Sequence, residues 1–225
     1  VLDRVYFARG DVAAFDIRHV GTEALQALAD EGRGVVLLGA HVGSFEALHT
    51  LGSSRPGLHV AMVMYPDNAR MIHSVLAAIA PNAQLDVIPI GRPESTLLIR
   101  DWLAAGGIAG MLGDRFLGTE PSRTAHVMMP FLGEPAPFSD GPLRLAMLLR
   151  QRVVFMAAVY LGGARYEMRF EPLADFTQPA EDAAGRHAQV QGALKAYVAR
   201  LESICHEAPY NWFNFHDFWN PDGRP

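Results

Sequence analysis

Short apolar runs alternate with amphipathic stretches along most of this chain. Val35-Val36-Leu37-Leu38-Gly39-Ala40 is continuously apolar, the pattern of a strand buried on both faces. Apolar runs at 59–64, 85–90 and 108–112 predict three more strands, and 125–130 a fifth. Between them the spacing predicts helices over 22–30, with Thr22 as N-cap, over 44–51, over 68–80, which Pro81 stops, and over 93–105, where Pro93 suits a first helical turn. Further on, 143–149 reads as a helix and 153–160 as a long strand. Gly162-Gly163 turns that strand into 166–170, which alternates polar and apolar residues and predicts an antiparallel hairpin at the sheet edge. A long amphipathic helix covers 184–205.

Strands that alternate with helices predict an α/β fold: a mostly parallel central sheet, helices on both faces, and an antiparallel edge hairpin near the C-terminus. With 225 residues and no repeat or linker, the chain is expected to form a single domain over 1–225. In such sheets a site lies beyond the carboxyl ends of the strands. The loops that begin after Ala40, Met64, Ile90 and Leu112 are therefore where chemistry is expected.

Composition narrows the function. Half the residues are hydrophobic and 19% are charged, which is globular and excludes wholesale disorder. A net charge of −5 disfavours nucleic acid as a partner. Of the 19 basic residues only Lys195 is lysine; the arginines carry the fork geometry that suits phosphate or carboxylate. The single cysteine, Cys205, excludes an internal disulfide and cysteine-based zinc clusters. No apolar run reaches the roughly 18 residues of a bilayer span. The opening VLDRVYFARG reads as the middle of a helix, so a preceding N-terminal anchor is expected.

The first loop reads Gly39-Ala40-His41-Val42-Gly43-Ser44-Phe45-Glu46. His41 directly follows a buried strand. On one continuous helix a five-residue step rotates by about 140° and would separate His41 from Glu46, but a turn at Gly43 lets Glu46 fold back. A carboxylate on one imidazole nitrogen sets the tautomer and leaves the other nitrogen free to accept a proton. That is general-base chemistry with no protein nucleophile. The amides of Val42 to Ser44 are expected oxyanion donors. Arg92 stands between a strand end and a helix start and suits an anion; Asp114-Arg115 after the fourth strand supplies another acid and another fork. A serine hydrolase would carry a Gly-X-Ser-X-Gly elbow, and none occurs. No metal-ligand spacing is present, and neither metal nor redox cofactor is expected.

HVGSFE, with His41 and Glu46, is similar to the HX4(D/E) motif of the glycerolipid-type acyltransferase superfamily. With GRGVVLLGAHVGSFEAL, IGRPESTLLIRDWLAAGGIAGMLGDR, VMMPFLGEPAPFSDGPLRLAMLLRQRVVFMAAVY and YEMRFEPL, nearly the whole chain resembles bacterial lipid A late (lauroyl/myristoyl-type) acyltransferases. The segment 212–219 lacks the basic pair usual there and is similar to relatives associated with aryl polyene and other specialised lipids. The resemblance implies transfer of a fatty acyl group from acyl carrier protein or acyl-CoA to a hydroxyl of a lipid or glycolipid acceptor. It implies His41 as base and Glu46 as its partner. Arg92, Asp114, Arg115, Gly43 and Ser44 are then expected at the substrates, with Pro130, Phe131 and Gly133 shaping the pocket. It also implies a place at the cytoplasmic face of the bacterial inner membrane, peripheral or held by an N-terminal segment. Two readings stay open beside it: a thioesterase or serine-type lipid hydrolase, and a non-catalytic lipid-binding module on the same scaffold.

Overall fold

The run of apolar residues from Val35 continues as strand β2 (Val35–Gly43), and its place explains its composition. It lies in the middle of a seven-stranded sheet with a parallel neighbour on each side, and packing on both faces buries it. The structure is a computed structural model and describes residues 3–9, 11–44, 59–66, 70, 86–115, 126–215 and 217–219. Within these, the other sheet strands are β1 (Asp16–Val20), β3 (Val60–Met64), β4 (Asp86–Pro89), β5 (Ile108–Leu112), β8 (Arg152–Gly162) and β9 (Arg165–Asp175). A two-stranded sheet is made by β6 (His126–Phe131) and β7 (Glu134–Ser139). The helices are α1 (Asp3–Arg9), α2 (Thr22–Asp30), α3 (Pro93–Ala104), α4 (Gly141–Leu148) and α5 (Ala183–Glu207).

The sheet order is β1-β9-β8-β2-β5-β3-β4, and every pairing in it is parallel except β8 with β9. Period-two alternation along β2 splits the core. Val36, Leu38, Ala40 and Val42 face one side, where Ile99 and Leu103 of α3, Leu143 and Ala146 of α4 and the stripe Leu194, Tyr197, Leu201 of α5 cover them. Val35 and Leu37 face the other side, with Phe7 of α1 and Leu25 of α2. Burial of each such large side chain stabilises the fold by about 1.5–3 kcal/mol. Helices thus lie on both faces, as the alternation predicts.

Three features differ from the sequence-based expectation. The β8–β9 hairpin is antiparallel as expected, but it is not the margin of the sheet. β1 pairs in parallel along the outer side of β9, from Asp16 opposite Arg165 to Val20 opposite Arg169. DIRHV carries three polar residues in five, so its pattern resembles that of a loop. β6 leaves the main sheet and pairs instead with β7, which holds Pro135 and Pro137. Proline is tolerated because each strand of a two-stranded ribbon has one side with no ladder to make. The helices expected over 44–51 and 68–80 fall, apart from Ser44 and Arg70, outside the described residues.

Candidate active site

The register of two neighbouring strands builds the site. Gly39 of β2 lies opposite Leu112 of β5 in a parallel pair. His41 and Asp114 each stand two residues beyond that pair, towards the carboxyl ends of the strands. Adjacent strands lie about 4.8 Å apart, so two residues at equivalent positions meet although 73 residues separate them in sequence. His41 Nδ1 lies 2.8 Å from Asp114 Oδ1, and the His41 backbone N–H donates to Asp114 Oδ2 at 2.9 Å. Trp212 Nε1–H donates to the same Oδ2 at 3.0 Å.

Asp114 is 2% exposed. Burial pushes its carboxyl up, but hydrogen bonds and charge from His41, with the Trp212 donor, outweigh this and hold it below its ordinary value. An ionised carboxylate only accepts, so Nδ1 carries the proton and the lone pair of the imidazole stands on Nε2. The His41 side chain is 26% exposed, so the ring is open to an incoming group while its partner is sealed.

The strand end is held by two hydrogen bonds on one carbonyl, one from the residue after the neighbouring strand and one from the helix that covers it. Gly39 carbonyl accepts from the Tyr197 hydroxyl at 2.9 Å and from the Gly113 N–H at 3.0 Å. Between Gly39 and Gly43 the pairing of β2 with β8 shifts register. Gly43 closes that irregularity at φ 62°, where an added Cβ would stand 1.6 Å from the Ala158 carbonyl oxygen. Only glycine fits there. The next amide, Ser44 N–H, donates to Ala158 O at 3.2 Å. Of the three amides expected to bind an oxyanion, this one is already committed to the fold, and Ser44 itself is buried.

Arg92 and Arg115 come together in the wall of one cavity of about 280 Å³, with Tyr65, Ile99, Met111 and Leu145 among its apolar lining. Gly113, on the other side of Asp114 in sequence, also lines it. Arg92 occupies the N-cap position of α3 with extended backbone. Arg115 also reaches the Phe213 carbonyl at 3.4 Å. A second hollow of about 210 Å³ holds Arg33, Arg150 and Arg152 at the opposite end of the sheet. It abuts the carboxyl ends of α3 and α4, which disfavour anions, and Arg152 is already paired with Glu31 and Asp175.

Pro130, Phe131 and Gly133 lie in the β6–β7 hairpin and not in the wall of the 280 Å³ cavity. Phe131 is wholly buried against Trp212, Phe218 and Phe138, and Gly133 forms the turn at φ 90°. Glu46 lies outside the described residues. The carboxylate that meets Nδ1 of His41 is that of Asp114. The resemblance implied Asp114 only as a substrate contact; the signal that finds its partner is the equal distance of both residues from a paired strand position. In the sequence Trp212 only opens the segment 212–219, and nothing there marks it as a partner of Asp114.

These features meet a broader likeness. No curated protein matches the chain. The sequence model of bacterial lipid A biosynthesis acyltransferases matches residues 5–220. That span takes in both arms of the His41–Asp114 pair, the cavity and the Trp212 segment. With nearly every described element inside the match, the chain belongs to the bacterial lipid A biosynthesis acyltransferase family.

Proposed function

We propose that this acyltransferase moves a fatty acyl group from the thioester of acyl carrier protein or coenzyme A to a hydroxyl of a lipid or glycolipid acceptor, with His41 as general base. The observation that carries this reading is the buried Asp114 carboxylate on Nδ1 of a half-buried imidazole. Nε2 takes the proton of the acceptor hydroxyl as its oxygen attacks the thioester carbonyl. A C–O bond forms, the C–S bond breaks, and the departing thiolate recovers the proton from the imidazolium. Asp114 stabilises the imidazolium between these steps. A base so placed contributes about 10²–10⁴-fold in rate.

Arg92 and Arg115 hold a phosphate of donor or acceptor at the mouth of the cavity, and its apolar lining takes hydrocarbon. Glu46, in the same motif as His41, is the second acid that the resemblance implies for this chemistry; Gly43 and Ser44 keep the strand end in shape. The β6–β7 hairpin, through Pro130, Phe131 and Gly133, supports the site from behind Trp212. The acceptor being a lipid, the enzyme works at the cytoplasmic face of the inner membrane; among the described residues no helix is long and apolar enough to cross one.

The test is His41→Ala, assayed with labelled acyl carrier protein or labelled acyl-CoA and extracted bacterial lipid. The variant should fold and lose at least about 10²-fold in transfer. Equal transfer by the two proteins would overturn the base assignment, and release of free fatty acid with water as sole acceptor would make the protein a thioesterase.

A further inference from the structure

We propose that Trp212 is a positioning residue of the acyl transfer: its indole N–H holds the outer oxygen of Asp114 and so keeps the inner oxygen turned onto the imidazole of His41. This rests on the reading of His41 as base. A carboxyl group turns easily about its terminal torsion, which is broad and two-fold. Here Oδ2 is caught by two donors from separate segments, the His41 backbone N–H at 2.9 Å and the Trp212 indole at 3.0 Å. Oδ1 is thereby left facing Nδ1 at 2.8 Å.

The indole is itself held from two directions. Its ring stands edge-on to Phe131 at 5.2 Å, Phe218 at 5.1 Å and Trp219 at 6.2 Å. Its backbone bridges to Val42, and the next residue, Phe213, donates its N–H to the His41 carbonyl at 2.8 Å. The C-terminal segment thus grips the base residue through its main chain while it grips the orienting acid through a side chain.

Asn211 sets the register of that grip. Its amide mimics a peptide group: Oδ1 accepts the Tyr160 N–H at 2.7 Å, and Nδ2 donates to the Tyr160 carbonyl at 3.2 Å. A slip of one residue would point the indole away from Asp114. Packing alone does not account for tryptophan here. Phenylalanine would fill most of the same space without a donor, whereas a charge-assisted hydrogen bond is about twice as strong as a neutral one.

The experiment is steady-state transfer by Trp212→Phe, Asp114→Asn, the double variant and His41→Ala, each with its thermal unfolding curve. Trp212→Phe should lower kcat by about 10- to 100-fold with KM for the acyl donor unchanged. Added to Asp114→Asn it should cost nothing further, because the two act as one unit. If Trp212→Phe folds poorly, Asn211→Asp repeats the test: it keeps the acceptor for the Tyr160 N–H, opposes the Tyr160 carbonyl, and should also lower kcat and leave KM. A kcat near that of the parent, or an equal loss in the Asp114→Asn background, overturns the proposal while an inactive His41→Ala leaves the base in place. An active His41→Ala overturns both.

Discussion

Replacing Asp114 by asparagine tests the site with the least change of shape. Oδ2 receives two donors, the His41 backbone N–H and the Trp212 indole N–H. In the variant only the amide oxygen can accept, so those two bonds force it into the Oδ2 position. The amide NH₂ must then face Nδ1 of His41, where Oδ1 stood 2.8 Å away. Nδ1 can bond to it only as an acceptor, and the ring proton moves to Nε2. The base then presents a proton to the acceptor hydroxyl instead of a lone pair. The same inversion of tautomer costs about 10⁴-fold in serine proteases, so a loss of about 10³–10⁴-fold in kcat is expected here. All three hydrogen bonds survive in the variant, so its melting temperature should move by no more than about 5 °C. The assay is initial-rate acyl transfer at saturating donor, with thermal unfolding alongside. A kcat within tenfold of the parent would refute the reasoning, because it would mean that another group sets the tautomer. Glu46→Gln, measured in the same series, shows directly whether that group is Glu46.

Asp114 also gives the fold a pH dependence. Its folded-state pKa is lowered from 3.8, so its stabilisation is present above about pH 4 and lost as pH falls below that. The difference in melting temperature between parent and Asp114→Asn should therefore change as pH drops through this region; a constant difference from pH 6 to pH 3 would contradict the ionised carboxylate. Gly43→Ala puts a Cβ 1.6 Å from a backbone oxygen at φ 62°, so it should cost at least about 3 kcal/mol and lower the melting temperature by at least about 6 °C; an unchanged unfolding curve would count against this geometry. Cys205 is buried, and its thiol is pushed up to about 12 by that burial, with Asp114 and Glu202 adding to it. A thiol reagent at pH 8 should leave the native protein unmodified and label it at once after denaturation.

Much of the architecture follows from local pattern. An apolar run such as Val35–Ala40 reads as a central strand, because both of its faces need cover, and the stripe along 184–205 reads as a face that packs on the core. Strand ends and their polar neighbours, and so His41, Arg92 and Asp114 as candidates, are legible in the same way. What the residues could not state was their pairing. β1 and β7 exist because neighbours accept them: DIRHV is polar, and EPAPFS carries two prolines. The acid that meets His41 comes from 73 residues away, and the indole that holds this acid from a further 98. Pattern along a chain reports which groups must be buried or exposed over a few residues. Contacts across such distances depend on the parallel register of β2 with β5 and on where the C-terminal segment docks, and only the assembled sheet decides those.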